Sequence, residues 1–125
     1  TIAATRIIMG KNANIQVPPN LNEGYYENFL SAGINDWGGI SPLTIDYVNP
    51  EAPWPTIEQL NQKTTEKGFE LKPRLPIYPE FIKSNNAQFK NSSLLSKKID
   101  SSVDSKGFVN GGIFNYVKVK RPTIA

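Results

Sequence analysis

The residues best suited to chemistry lie in two polar segments, each of which follows a short predicted strand. The longer segment carries Asn35, Asp36, Trp37, Gly38, Gly39, Ser41 and Thr44, and the shorter one carries Gln16 and Asn20. Asp36 could orient a substrate or accept a proton, and Trp37 could stack on a flat ring. Amide and hydroxyl groups could bind polar ring edges, and paired glycines let a backbone approach a ligand closely. These residues predict a binding site for a small polar molecule.

Each of these residues also has an ordinary structural explanation. Asn35 or Asp36 could satisfy loop amides in an Asx turn, the glycines could serve only to adopt positive φ angles, and Trp37 could belong to the core. Asn20 stands three residues before Glu23, a spacing typical of a helix-capping box. Spacing alone therefore leaves binding and scaffold roles open, and it identifies no catalytic residue.

What the sequence lacks limits its chemistry. It contains neither cysteine nor histidine, which excludes disulfides, thiolate metal sites, cysteine nucleophiles and histidine bases within these 125 residues. Any catalysis must use carboxylates, lysines, tyrosines, hydroxyls, amides or a cofactor, and we predict no metal site. No apolar run approaches the roughly 18–20 residues that cross a bilayer, so no membrane partner is expected.

Charge and proline content change near residue 81. Residues 1–80 carry six basic and nine acidic side chains, whereas residues 81–125 carry eight basic and two acidic ones. We therefore predict a domain over 1–82 and a basic, partly disordered extension over 83–125, with one candidate helix at 94–106. The lysines are scattered among serines and asparagines, so nucleic acid is not expected as a partner.

Glycines and capping residues divide the first domain into alternating helices and strands. We predict helices at 3–9, from Asn20 to Gly33 and from Thr56 to Gly68, and strands at 14–17, from Ile34 and at 69–71. Such alternation is typical of parallel βα units, and two or three units form only one end of a larger α/β domain. Ligands of such folds bind at the carboxyl ends of the strands, where both polar segments are predicted.

One run of residues resembles a known enzyme family. The run is Ala32-Gly33-Ile34-Asn35-Asp36-Trp37-Gly38-Gly39-Ile40-Ser41-Pro42-Leu43-Thr44, followed by Val48-Asn49-Pro50-Glu51-Ala52-Pro53-Trp54-Pro55. It is similar to the C-terminal part of the radical S-adenosylmethionine subunit of 7,8-didemethyl-8-hydroxy-5-deazariboflavin synthase. Residues 15–21 and 71–80 also resemble that family, so the resemblance covers roughly residues 2–82.

The resemblance implies the α/β fold of a radical S-adenosylmethionine (β/α) barrel, of which this chain supplies the last two strand–helix units. It also implies a cytoplasmic lyase of deazaflavin coenzyme biosynthesis, which cleaves S-adenosylmethionine at a 4Fe–4S cluster. The family joins a tyrosine-derived fragment to 5-amino-6-(ribitylamino)uracil. A companion subunit that adds tyrosine to the diaminouracil is an implied partner.

The chain departs from the family in its lack of cysteine, because the family binds its cluster through a C-x-x-x-C-x-x-C motif. Since Thr1 also begins inside a predicted helix, we expect the C-terminal fragment of a longer enzyme, inactive alone, with the rest of the barrel as its partner. An inactive remnant is the alternative. A sibling radical enzyme that adds tyrosine to the diaminouracil, and a non-catalytic half-barrel module whose basic tail docks an acidic partner, also stay open.

Overall fold

The computed structural model describes residues 1–22, 24–41, 43–82 and 101–110. The predicted capping residue Glu23, Pro42 and residues 83–100 and 111–125 of the predicted extension lie outside the described residues. Two compact units are formed, residues 1–71 and 72–125, and the composition-based boundary after residue 82 stays a prediction. The elements of the first unit are α1 (Ile2–Met9), β1 (Gln16–Val17), a 3₁₀ helix (Pro19–Asn22), α2 (Asn28–Ala32), β2 (Asp36–Trp37) and α3 (Ile57–Glu66).

The two strands form a parallel sheet in which Gln16 pairs with Asp36 and Val17 pairs with Trp37. The predicted parallel arrangement is therefore confirmed for this pair. Asp36 and Trp37, predicted to follow the strand, instead form it, because they are the residues that pair with β1. The polar segment that follows β2 thus begins at Gly38.

The helix predicted from Asn20 to Gly33 is interrupted. Its first residues form the 3₁₀ helix, and α2 begins only at Asn28. The prediction that Asn20 caps a helix is wrong, because its side chain is buried and engaged by residues far along the chain. The predicted end is confirmed: Gly33 adopts the left-handed conformation (φ 109°), and its N–H donates to the carbonyl oxygens of Leu30 and Phe29.

The capping box predicted for α3 is confirmed. The Gln59 N–H donates to Thr56 Oγ1 (3.1 Å), and the Thr56 N–H donates to Gln59 Oε1 (2.9 Å). The strand predicted at 69–71 is absent from this described segment. The Phe69 N–H donates to the Thr64 carbonyl oxygen (3.1 Å), so Phe69 closes the end of α3 instead of entering a sheet.

One face of the sheet packs on the helices through Trp37. Its ring meets the buried Tyr26 edge to face, with centroids 5.7 Å apart and planes at 86°. Its indole N–H donates to Thr64 Oγ1 on α3 (3.1 Å), and that hydroxyl donates to the Leu60 carbonyl oxygen (2.7 Å). Because side chains alternate along a strand, Asp36 projects from the opposite face.

In the second unit, residues 101–110 form a turn closed by an antiparallel bridge between Val103 and Val109. Hydrogen bonds from the backbone N–H groups of Phe108 and Lys106 lower the pKa of Asp104 inside this turn. The helix predicted at 94–106 is wrong for 101–106, since the Asp104 carboxylate holds these residues in turns. Residues 94–100 lie outside the described part of the chain.

Candidate functional site

Gln16 and Asp36 form a hydrogen-bonded pair on the sheet face opposite Trp37. The two residues are register partners, and Gln16 Nε2 donates to Asp36 Oδ2 at 2.9 Å. The Gln16 side chain is exposed and Asp36 is half-buried. A carboxamide and a carboxylate thus lie side by side on one face of the sheet, one residue before the carboxyl ends of its two-residue strands, where parallel α/β folds bind ligands.

The absence of a side chain at Gly38 leaves room for the Gln16 side chain. The Gly38 N–H donates to the Val17 carbonyl oxygen (3.3 Å), which keeps the chain beside β1. A Cβ atom at residue 38 would lie 2.5 Å from both Cγ and Cδ of Gln16. Only glycine leaves room for this contact with Gln16, and close approach of a ligand to Gly38 stays a prediction. Gly39 serves the turn, with φ +40° and nothing within 4 Å of an added Cβ.

Asn20 joins the end of β1 to the loop before α3. It is 2% exposed, and its Nδ2 donates to Asp46 Oδ2 (2.9 Å) and to the Ala52 carbonyl oxygen (3.1 Å). Asp46 in turn accepts the backbone N–H groups of Val48 (2.9 Å) and Asn49 (3.1 Å) through Oδ1, an Asx turn. We call this Asn20–Asp46 contact with its turn the loop latch.

The charge of Asp46 is stabilised by the loop latch. Hydrogen bonds from the side chains of Asn49 and Asn20 hold the pKa of Asp46 below its ordinary value of 3.8. A lowered pKa means that the carboxylate adds stability above the unfolded-state pKa of about 3.9. That contribution disappears as the pH falls through the folded-state pKa.

We expect Asp46 to titrate below pH 3.8 when its carboxyl ¹³C signal is followed by NMR. Asn49→Ala removes the largest stabilising contact and should move the pKa back toward its ordinary value. Asp46→Asn identifies the signal by deleting it. A pKa at or above 3.8 in the unsubstituted chain would contradict the loop latch.

Asn35 lies at the other end of the sheet, just before β2. Its Oδ1 accepts the Ile15 N–H (2.7 Å), and its Nδ2 donates to Asn14 Oδ1 (2.7 Å). The Arg6 guanidinium on α1 donates to nearby carbonyl oxygens, those of Gly10, Ala13 and Gly33. These bonds fix the amino ends of the strands, directly before the Gln16–Asp36 pair.

The structure therefore brings together only part of the predicted site. Gln16, Asp36 and Gly38 form one cluster, which we call the Gln16 cluster. Ser41 and Thr44 lie in the loop beyond it, with their hydroxyl oxygens 2.6 Å apart. Trp37, Asn20 and Asn35 have partners elsewhere, and whether any of the predicted residues contacts a substrate stays a prediction.

Sequence reasoning missed two residues that shape this region. Asp46 could have been found from Asn49 three positions later, a spacing that suits an Asx turn. Arg6 carries no comparable signal, because its partners are mostly backbone oxygens, and they lie up to 29 residues away. Within the described residues, no group of acidic side chains could hold a metal ion, and no helix is long and apolar enough to cross a membrane.

Comparison with known proteins identifies clear relatives. A 7,8-didemethyl-8-hydroxy-5-deazariboflavin synthase of Methanococcus maripaludis (strain C5) is 58% identical over 81 residues, 65% of this chain and 23% of the relative. That of Methanopyrus kandleri is 55% identical over 83 residues, 66% of this chain and 25% of the relative. The resemblance to the deazariboflavin synthases is confirmed.

A protein named FO synthase from Streptomyces avermitilis is also 55% identical over 82 residues, 66% of this chain and 10% of the relative. The chain thus spans only a tenth to a quarter of the length of these deazariboflavin synthases and FO synthases. No family model and no solved structure matches the chain.

Proposed function

We propose that this chain is part of a 7,8-didemethyl-8-hydroxy-5-deazariboflavin synthase and supplies one wall of its substrate cavity. The observation that carries the proposal is a parallel strand pair with the Gln16 cluster on one face, in a chain 55–58% identical to such synthases. In a (β/α) barrel the face of each strand opposite the helices lines the barrel interior. Trp37 packs on α3, so Gln16 and Asp36 would face that interior.

The proposal includes the rest of the barrel as a partner of this chain. α1 buries no residue, and Ile7, Ile8 and Met9 are 81%, 81% and 64% exposed. Apolar side chains that are exposed around the last turn of a helix are normally covered by another element. Neighbouring strand–helix units of a barrel would cover it and would close the two-stranded sheet on both edges.

The cofactors of the proposed reaction are a 4Fe–4S cluster and S-adenosylmethionine, which together supply its radical chemistry. The residues of this chain do not fit the cluster, because it has no cysteine and clusters of this kind need thiolate ligands. Cluster ligands would have to come from the rest of the enzyme. We assign this chain the binding and orientation of substrate only.

Within that division of labour, the side chains of this chain would hold a tyrosine-derived fragment and 5-amino-6-(ribitylamino)uracil. Gln16 and Asp36 offer a carbonyl, an amide and a carboxylate to the polar ring edge. The Ser41 and Thr44 hydroxyls extend this polar lining toward the ribityl chain. The loop latch keeps the segment before α3 against the end of β1.

We further propose a cytoplasmic enzyme that works with a tyrosine-adding companion subunit.

A chimaera tests the proposal. Residues 2–82 would replace the matching segment of the Methanococcus maripaludis synthase, giving what we call the chimaeric synthase. We expect it to bind its cluster and to form the deazaflavin product, detected by fluorescence, from tyrosine and the diaminouracil with the companion subunit present. A chimaera with normal cluster absorbance and thermal stability that forms no product would overturn the proposal.

The control for the chimaera is Asp36→Ala in the same protein. Asp36 is half-buried at the surface of a two-residue strand, so its removal should leave folding intact. We expect product formation to fall about tenfold or more, because the charge-assisted hydrogen bond that holds the Gln16 amide is lost, and such a bond is worth roughly 1.5–3 kcal/mol. Unchanged turnover in this variant would remove Asp36 from the site.

A further inference from the structure

The pair of Gln16 and Asp36 fixes the direction of a carboxamide. A carboxylate accepts hydrogen bonds and cannot donate them. The side of the Gln16 amide that faces Asp36 Oδ2, at 2.9 Å, must therefore be the NH₂ group. The carbonyl oxygen Oε1 is consequently the atom that Gln16 directs away from Asp36.

Packing against the backbone at Gly38 also holds the Gln16 side chain. The Gln16 Cγ and Cδ atoms lie 2.5 Å from the position of a Cβ on Gly38, so the stem of the side chain rests on the backbone after β2. The side chain is nevertheless exposed on the sheet face that bears no Trp37 contact to the helices. An exposed amide held both by packing and by a charged hydrogen bond is preorganised to read a ligand.

We propose that Gln16 is a specificity-determining residue that accepts a hydrogen bond from an N–H group of a flat heterocycle through Oε1. Asp36 is then a positioning residue, since it acts by setting which end of the Gln16 amide meets the ligand. This inference rests on the proposed function and deepens it. It assigns the site a preference for ring N–H or amino groups over carbonyl oxygens at this position.

The Asp36→Asn variant of the chimaeric synthase tests this assignment. An asparagine can donate to Gln16 Oε1 as well as accept from Nε2, so it no longer fixes the direction of the Gln16 amide, which can turn and present NH₂ to the ligand. The NH₂ group of Gln16 would then face the N–H group of the ligand, and two donors cannot form a hydrogen bond with each other. We expect the Kd for 5-amino-6-(ribitylamino)uracil, measured by titration calorimetry, to rise about tenfold, with the melting temperature unchanged.

The exchanged pair Gln16→Glu with Asp36→Asn provides the rescue. The carboxylate at residue 16 would accept from the amide at residue 36 and would again present only acceptor oxygens. We expect this double variant to return the Kd to within about threefold of the parent. Gln16→Met, which keeps the stem over Gly38 but removes Oε1, should raise the Kd like Asp36→Asn and serves if that variant fails to fold.

The chain offers a matched control on α3. Gln62 Nε2 donates to Glu66 Oε1 at the same distance of 2.9 Å, on the exposed surface of the helix. Glu66→Gln removes the same charge from an equivalent hydrogen bond, and it should leave the Kd unchanged.

The possible outcomes separate the two proposals. An unchanged Kd in both Asp36→Asn and Gln16→Met, or a double variant no better than Asp36→Asn, would overturn the assignment of Gln16. A parent chimaera that is folded and inactive would instead overturn the proposed function. A raised Kd in the single variants with recovery in the double variant supports the specificity role.

Discussion

Replacing Gly38 by alanine is expected to lower kcat/KM of the chimaeric synthase about ten- to a hundredfold while the protein still folds. The new methyl group would lie 2.5 Å from Cγ and Cδ of Gln16, which is far inside van der Waals contact. Because the Gln16 side chain is exposed, it can swing away instead of forcing the strands apart. We therefore expect the decrease in kcat/KM to come from the changed orientation of Gln16 and from the loss of its hydrogen bond to Asp36.

The neighbouring glycine is the control for this prediction. Gly39→Ala meets nothing within 4 Å, but it places a side chain at φ +40°. That backbone conformation costs an L residue about 1–2 kcal/mol, so stability should fall while kcat/KM stays near the parent value. If the two alanine variants reduce kcat/KM equally, crowding of Gln16 is not the cause. Combining Gly38→Ala with Gln16→Ala should add nothing to the loss in Gln16→Ala alone.

The second large effect is expected for Asn20→Asp, which should lower the free energy of unfolding by about 3–5 kcal/mol at pH 7. The substitution replaces the Nδ2 donor, 2.9 Å from Asp46 Oδ2, with a second carboxylate at a site only 2% exposed. Two carboxylates at this distance repel each other, and the Ala52 carbonyl oxygen loses its donor. The loop before α3 should detach from the end of β1.

The pH dependence distinguishes this mechanism from simple loss of a side chain. When the pH falls toward about 5, one of the two carboxyl groups in Asn20→Asp takes up a proton and can donate to the other. Stability of the variant relative to the parent should then recover. Asn20→Ala, which only removes the hydrogen bonds, should lose about 1–3 kcal/mol with no such recovery. Chemical denaturation at pH 7 and pH 5 measures the free energy of unfolding of both variants of the chimaeric synthase. An equal loss of stability at the two pH values in Asn20→Asp would contradict repulsion between the two carboxylates as the cause.

Signals that act over a few residues were sufficient to predict several elements. Gly33 ends α2 because a left-handed residue closes the preceding turn, and Thr56 begins α3 because Gln59 lies one turn further on. The parallel pairing of β1 and β2 also follows from the order of helices and strands. In the two helix ends the deciding atoms are only a few positions apart in the sequence.

Partners that are distant in the sequence decided the rest. Asn20 has the spacing of a helix cap, but Asp46, 26 residues away, takes its amide into the loop latch. Trp37 was predicted in the polar segment after the strand, but pairing with Val17 makes it part of β2. The candidate site was predicted as two polar segments, each following a strand, for the same reason. Only the alternation of β2 shows that Asp36 and Trp37 face opposite sides.

The bare helix α1 has a practical consequence for work on the isolated chain. Two isoleucines and a methionine, Ile7, Ile8 and Met9, meet water along one short helix. Association of two copies of the chain through this surface is favourable, because each Å² of apolar area removed from water lowers the free energy by roughly 25 cal/mol. We therefore expect the isolated chain to self-associate through α1 as its concentration rises.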